Sequence, residues 1–131
     1  MNSSIRLFVV FMIIPVLMRA CSGGICLLGK TQVRIHNSLP EGITLTVHCK
    51  SKNDDLGVQQ IPHGGTWKFH FRPNVFCKTL FFCSMQWPGQ FHRFDIYDGE
   101  RDTERCEESC KWDVKPTGPC LLNMACENWN S

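Results

Sequence analysis

The chain has 131 residues, with 14 Lys and Arg, 12 Asp and Glu, and nine Cys. A chain of this length has room for one ordinary hydrophobic core rather than two. Its formal net charge of +2 is too small for strong long-range attraction to phosphate backbones or anionic membranes, which argues against a nucleic-acid-binding protein.

The first 23 residues have the pattern of a secretory signal peptide. A polar start precedes an apolar run over residues 7–18, and small residues follow from Ala20 to Gly24. The run is shorter than the roughly 20 apolar residues that cross a bilayer, so we expect cleavage near Gly23 rather than a membrane anchor. The prediction is a single mature domain at residues 24–131, secreted to the extracellular space and without stable membrane insertion.

Cleavage at this point changes both the charge and the cysteine count. Arg6 and Arg19 leave with the signal, so 12 of the 14 basic residues remain against 12 acids, and the mature charge is near zero. Cys21 also leaves and eight cysteines remain, whereas cleavage after Ala20 would keep all nine. A dense, even set of cysteines in an oxidising compartment predicts a disulfide scaffold.

Apolar residues recur with a period of two along the mature chain, which indicates strands with one buried and one solvated face. The predicted strands are centred, in chain order, on residues 33–35, 43–47, 57–61, 67–71, 79–87, 91–97 and 110–114. Segment 79–87 is apolar on both faces and is predicted to be central. No segment carries a helical stripe, and 100–108 is expected to be a mobile, exposed loop. These features predict an all-β fold, a small disulfide-linked antiparallel β-sandwich of seven or eight strands.

Strand geometry limits the disulfide pairings only slightly. If Cys77 and Cys83 share one extended strand, they lie about 20 Å apart and each needs another partner. Cys106 and Cys110 either pair with each other or serve two strands. Eight cysteines allow about a hundred pairings, and the sequence does not choose among them. The disulfide candidates are Cys26, Cys49, Cys77, Cys83, Cys106, Cys110, Cys120 and Cys126.

The loop after strand 43–47 is the first candidate partner-binding segment. It holds Lys50, Lys52, Asn53, Asp54 and Asp55, which place two cations beside two adjacent carboxylates for directional charged hydrogen bonds. The alternative, slightly favoured, is a solvated turn in which Asn53 and Asp54 bond the local backbone. Calcium needs about six spaced oxygen ligands, so no metal site is predicted here.

The turn within residues 86–93 is the second candidate segment. Trp87, Gln90 and His92 are its candidate partner contacts, since exposed aromatic residues on a turn make good interface anchors. The favoured alternative is that Trp87 and Phe91 cover the core of a small sandwich.

Neither an active site nor a cofactor is predicted. His48 and His70 fall on the solvent face of their strands, and no second feature supports a two-histidine site. Cys106 and Cys110 with a histidine mimic a zinc site, but thiols in an oxidising compartment form disulfides. The sequence contains no nucleophile elbow and no phosphate-binding loop. The chain is therefore predicted not to be an enzyme.

Several short blocks lie in a recognisable order between residues 31 and 122. They are HCKSKNDDLG at 48–57, GTWKF at 65–69, TLFFC at 79–83, FDIY at 94–97, CKW at 110–112 and GPC at 118–120. In this order they resemble the plant self-incompatibility S-protein homologue family, over nearly the whole mature chain.

The resemblance implies a small secreted β-sandwich whose inter-strand loops form the recognition surface. The best-known members of the family are stigma-secreted ligands that self-incompatible pollen perceives at its surface. The resemblance implies an extracellular ligand of an unidentified cell-surface protein receptor, acting in pollen–stigma recognition or other cell–cell signalling. An even set of paired cysteines predicts that this ligand is a monomer. The alternative is a secreted cysteine-rich defence protein acting on microbes or their wall sugars.

The resemblance also divides the cysteines. Those similar to the family's usual cysteines are Cys49, Cys83, Cys110 and Cys120, whereas Cys26, Cys77 and Cys126 are additional and Cys106 lies one residue further from the CKW block than the family spacing. The additional cysteines are expected to pin the N-terminal arm and the tail, for example through a Cys26–Cys126 bridge, or to form an intermolecular link.

Overall fold

The computed structural model describes residues 29–106, 108–122 and 124–131, so the predicted signal peptide, its cleavage site and Cys26 lie outside the described residues. The described elements are β1 (Thr31–Asn37), β2 (Leu45–Lys50), β3 (Asp55–Ile61), β4 (Thr66–Phe71), β5 (Leu80–Trp87), β6 (Gln90–Asp98), α1 (Gly99–Cys106), β7 (Ser109–Lys115) and β8 (Gly118–Leu121).

The strands form two four-stranded sheets that share one core. Sheet A has the order β4-β1-β7-β8, and sheet B has the order β3-β2-β5-β6. All neighbouring strands are antiparallel except β1 and β7, which run parallel. The predicted all-β sandwich is confirmed, with this parallel pair as its departure from a purely antiparallel arrangement.

The period of two decides which side chains enter the core. Along β1, Val33 and Ile35 are fully buried, while Arg34 between them faces outward and is half-buried. From sheet B, Met85 and Ile96 meet them in the same apolar cluster. Because alternate residues point to opposite faces of a strand, each sheet has one dry face and one solvated face.

Asn37 is a buried polar residue that ties the end of β1 to sheet B. Its Nδ2 donates to the carbonyl oxygens of Ile43 at 2.8 Å and Ile61 at 2.9 Å. Its Oδ1 accepts a hydrogen bond from the Leu39 N–H at 2.9 Å. The side chain is thus paired at both ends, as a buried amide needs to be.

The expectation of a mobile loop at residues 100–108 is wrong, because most of this segment forms α1. Asp102 is fully buried and Thr103 nearly so. The Asp102 carboxylate accepts hydrogen bonds from Arg101 and Arg105 and from the Asp98 N–H, at 2.7 to 3.0 Å. The buried side chains of this helix are polar, so its buried face leaves no apolar stripe in the sequence.

Disulfides link Cys49 to Cys83, Cys106 to Cys110, and Cys120 to Cys126. The suggested Cys26–Cys126 bridge is therefore wrong. Cys77 is also disulfide-bonded, and no described cysteine is free. Cys77 precedes β5 rather than sharing a strand with Cys83, so the extended-strand geometry does not apply to this pair.

The tail after β8 packs against the edges of both sheets. The Glu127 N–H donates to the Pro119 carbonyl of β8 at 2.8 Å. Further along, the Asn130 N–H donates to the Arg93 carbonyl of β6 at 2.8 Å, and the Asp95 N–H donates to Asn130 Oδ1 at 2.6 Å. Segment 126–131 therefore covers part of two strands that are terminal in their sheets.

Candidate functional site: an apical groove between two braced loops

The first candidate loop lies at the end of the sandwich where β2 leads into β3. Lys50 is in register with Phe82, near the start of β5, so the segment before β5 lies at the same end. This segment and the loop line a groove of about 790 Å³, which we call the apical groove. Its walls are residues 51–54 on one side and 70–72, 74 and 78–82 on the other.

The loop between β2 and β3 is braced by its own hydrogen bonds. The Ser51 N–H donates to the Asp54 carbonyl at 2.8 Å, and the Asp54 N–H donates to Ser51 Oγ at 3.1 Å. At the base of the loop, His48 Nε2 lies 2.6 Å from Asp55 Oδ1. The Cys49–Cys83 disulfide then fixes this end of β2 to β5.

Asp55 is held in its ionised form. Its Oδ1 accepts the Gly57 N–H at 2.9 Å in addition to the bond with His48. These bonds, first from the Gly57 amide and then from His48, hold the pKa of Asp55 below its ordinary value of 3.8. Gly57 has a φ of 78°, a left-handed conformation that favours glycine.

The charged side chains of this loop remain exposed. Lys50, Lys52 and Asp54 form no ion pair in the described part of the chain. The alternative of a self-bonded turn therefore holds for the backbone, although the Ser51 hydroxyl provides the cap rather than the side chains of Asn53 and Asp54. The loop therefore has an ordered backbone, while these charged side chains make no ion pair within the described part of the chain.

The loop at residues 72–79 is the other half of the site, and the sequence reasoning missed it. Val75 is 47% exposed and Phe76 is 60% exposed. Residues 72–74, Arg-Pro-Asn, mark a break between strands, but the apolar pair that follows directly is a signal that could have identified an apolar loop tip. Large exposed apolar side chains on a loop are typical anchors of protein interfaces.

This second loop is braced as well. The Asn74 N–H donates to Thr79 Oγ1 at 2.6 Å, and the Phe76 N–H donates to Asn74 Oδ1 at 2.7 Å. A Cβ at Gly99 would lie 2.6 Å from the Cys77 carbonyl oxygen, so the loop is pressed against the start of α1. Lys78 pairs with Glu100 of the same helix at 2.6 Å.

The second candidate segment lies at the opposite end of sheet B. Trp87 is only 8% exposed, as expected of a residue that covers the core. His92 stacks on Trp129 with ring centroids 4.7 Å apart, and Gln90 Oε1 lies 2.9 Å from His92 Nε2. Phe91 is 51% exposed and does not cover the core as expected. The turn at residues 87–90 is therefore remote from the first candidate loop. Phe91 and Arg93, however, line a second groove of about 410 Å³ together with Lys50 at the base of that loop.

The histidines are distributed over the molecule rather than gathered in one site. His36 bonds Thr66, His70 bonds Gln32, and His63 bonds the Leu39 carbonyl. No group of three or more possible metal ligands occurs in the described ranges. Within the same ranges, no helix has the length and apolar character to cross a membrane.

The fold and the ordered blocks correspond to a known class of plant proteins. The family model for plant self-incompatibility protein S1 matches residues 32–131, so the chain belongs to this family. The resemblance recognised in the sequence is thereby confirmed.

Several relatives in Arabidopsis thaliana are similar over most of their length. S-protein homolog 5 is 47% identical over 100 residues, covering 76% of this chain and 77% of that protein. S-protein homolog 3 is 45% identical over 107 residues, covering 75% and 71%. S-protein homolog 29 is 36% identical over 136 residues, covering 99% and 100%.

A solved structure supports the fold independently. It is described as a structure of self-incompatibility protein homologue proteins, a widespread family of small, highly stable, secreted proteins from plants. The TM-score is 0.60 at 18% identity, with 79% of this chain and 97% of that chain covered. The arrangement of strands is therefore shared although few residues are.

Proposed function

We propose that this chain is a secreted extracellular ligand that a cell-surface protein recognises through the loops of the apical groove. One observation carries the proposal: two neighbouring loops have internally bonded backbones while their charged and apolar side chains are exposed. A loop that is already ordered loses less conformational entropy on binding than a mobile one. The braced loops are therefore suited to recognition.

Secretion is part of the proposal. The related solved proteins are described as secreted proteins from plants, and the chain begins with the pattern of a signal peptide. Paired cysteines also persist mainly in oxidising compartments outside the cytosol. Pollen–stigma recognition is one setting for such a ligand, and other cell–cell signalling is another.

The chemistry of the groove indicates the kind of receptor surface that fits it. Phe76 and Val75 offer apolar contact beside the groove, and Lys52 and Asp54 offer a cation and a carboxylate within two residues of each other. We expect an apolar pocket on the receptor, flanked by one acidic and one basic residue. Charged hydrogen bonds at the rim would then fix the orientation.

Binding of the purified, oxidised protein to plant cells tests the proposal. We expect saturable binding that Phe76→Ala weakens by about tenfold, because truncating a central aromatic anchor typically has an effect of this size. Phe91→Ala is the matched control, since Phe91 is 51% exposed but lines no wall of the apical groove. Equal effects of the two substitutions, or none from Phe76→Ala, would contradict the proposal.

The defence alternative is tested with the same protein. Inhibition of microbial growth, without saturable binding to plant cells, would replace the ligand proposal with a defence role. Binding to plant cells without inhibition supports the ligand, and a preference for pollen over other plant cells would identify the setting.

A further inference from the structure

Three cations lie side by side on the outer face of sheet A. Arg34 of β1 is in register with Lys68 of β4 on one side and with Lys111 of β7 on the other. All three face away from the core, and both lysines are exposed. We call this set the cationic row. Neighbouring strands are about 4.8 Å apart, so the row places three positive charges along a short straight line across the sheet.

The protein does not neutralise the row itself. No ion pair among the described residues includes Arg34, Lys68 or Lys111. Like charges directly opposite each other on neighbouring strands are destabilising. A set of three therefore carries a cost in stability that an anion would relieve.

The surroundings carry both signs of charge and do not cancel the three cations of the row. Lys115 lies on the same face of β7, and His36 and His70 flank Arg34 along β1 and β4. The acidic residue on this face of the three strands is Asp113, in register with His36, and it forms no ion pair either. Glu108 lies just before β7 at the margin of the face. A mature chain of near-zero charge thus has a locally cationic face.

Two polar atoms on this face also have no partner. Arg34 Nε and Ser109 Oγ are buried and make no hydrogen bond with any described residue. Ser109 is in register with Gln32, one position along the face from the cationic row. Buried polar atoms are normally satisfied. Because these two are shielded from solvent, they can bond a ligand on the face only if the Arg34 and Ser109 side chains rotate outward.

We propose that the outer face of sheet A binds a linear carboxylated polysaccharide, a polyuronate, with the cationic row contacting successive carboxylates. Every outward-facing residue of β4, β1 and β7 is polar or charged, so the face lacks the aromatic and apolar anchors of a protein interface. It equally lacks the apolar side chains that insert into a bilayer. A flat polar face with a line of cations is complementary to a repeating polyanion.

This binding is separate from the proposed recognition by the apical loops. It uses residues of sheet A, whereas the proposed receptor contacts are Lys52, Asp54 and Phe76. His70 is where the two surfaces adjoin, because it faces outward from β4 and also lines the apical groove. Substitutions in the cationic row therefore test the polyuronate site without changing the apical loops.

The experiment measures binding of the full, oxidised protein to polygalacturonate oligomers at low salt. We expect K68Q/K111Q to weaken binding by about tenfold, since it removes two charge-assisted contacts. The matched control K50Q/K52Q also removes two positive charges but lies outside the row, and we expect it to bind as the parent does. Binding should decrease as salt is added and should be lost when the oligomer carboxylates are methyl-esterified.

The other outcomes overturn the proposal. Equal weakening by K68Q/K111Q and K50Q/K52Q would show a nonspecific charge effect rather than a site. Absence of binding at low salt would remove the site altogether. Tighter binding to polyglutamate or to phosphatidylserine vesicles than to polygalacturonate would assign the face to an acidic protein or a membrane instead.

If K68Q/K111Q no longer binds polygalacturonate but still binds plant cells, the polyuronate site is supported independently of the receptor proposal.

Discussion

Asp55 is the residue that ties the loop between β2 and β3 to sheet B. A single carboxylate oxygen accepts from the Gly57 amide and bonds His48, so one side chain fixes both the turn into β3 and the end of β2. The sequence predicts that Asp55 lies in this loop, but it gives Asp54 and Asp55 the same role as partner-binding carboxylates. The structure separates them, because Asp54 faces solvent and contributes its backbone to the turn.

The lowered pKa of Asp55 predicts a dependence of stability on pH. Its pKa is below 3.8 in the folded protein, so the ionised carboxylate stabilises the fold above about pH 4 and the gain is lost as the pH falls through the folded-state pKa. We expect Asp55→Asn to lower the melting temperature at neutral pH and to differ less from the parent in strong acid. Thermal unfolding at both pH values measures this.

Asp54→Asn is the matched control for this pH dependence, since it changes the neighbouring carboxylate without removing a hydrogen bond between side chains. It should leave the difference between neutral and acidic pH as in the parent. A parent-like pH profile for Asp55→Asn would contradict the role given to Asp55.

Helix α1 shows why a hydropathy pattern can fail to predict an element. Its buried side chains are Asp102 and Thr103, which are ordinarily surface residues. The strands could be predicted from the sequence, because their apolar residues alternate. For example, β5 is predicted at 79–87 and runs from Leu80 to Trp87. Its apolar outer face nevertheless leaves Phe82 42% exposed, so an apolar residue on a central strand need not be buried.

The buried carboxylate of α1 gives a prediction about stability. Asp102 pairs with Arg101 at 2.7 Å and with Arg105 at 2.8 Å, and its side chain is fully buried. Asp102→Asn leaves the Arg101 guanidinium without its anion, while Arg105 keeps its ion pair with Glu127 at 2.7 Å. We expect the free energy of unfolding to fall by about 3 kcal/mol, because a partly buried cation loses its partner. Denaturant titration measures the loss. Glu104→Gln, at an exposed position of the same helix, should change little, and a similar small effect for Asp102→Asn would contradict the prediction.

The cationic row could not be predicted from the sequence, because its residues are far apart in the chain and meet only through strand register. Periodicity assigns Arg34, Lys68 and Lys111 to outer faces, but not to neighbouring strands. In particular, nothing in the alternation indicates that β1 and β7 pair in parallel. Loop 72–79 was not predicted as part of the site for a different reason. Its turn residues indicate where a strand ends, but not which side chains of the loop are exposed.

The same row predicts an effect of salt on stability in the absence of ligand. Lys68→Gln relieves repulsion with Arg34, so we expect a higher melting temperature than the parent at low salt. The difference should shrink as salt screens the parent's charges. Lys52→Gln, which removes a charge outside the row, should not give this increase. A destabilised Lys68→Gln protein at low salt would show that the row is not repulsive.

At the scale of the whole molecule, we expect the three described disulfides to contribute unequally to stability. Cys49 and Cys83 are 34 residues apart in sequence, whereas the other two bridges span separations of 4 and 6. A bridge that closes a longer loop restricts the unfolded chain more, in the chain-entropy account.

We therefore expect C49A/C83A to lower the free energy of unfolding by about 4 kcal/mol, and C106A/C110A or C120A/C126A by about 2 kcal/mol each. Denaturant unfolding of the three double variants gives the comparison, with the two short-loop pairs as controls for the one long-loop pair. Equal losses for all three would indicate that strain or packing, rather than loop length, determines their contribution.

Segment 126–131 shields the outer edge of β6. Asn130 occupies the Arg93 carbonyl and the Asp95 N–H on a strand that ends its sheet. Displacement of Asn130 from this edge would uncover the two groups, and an uncovered strand edge invites pairing with another chain. One local contact, separate from the core and from every described disulfide, thus protects this strand from self-association.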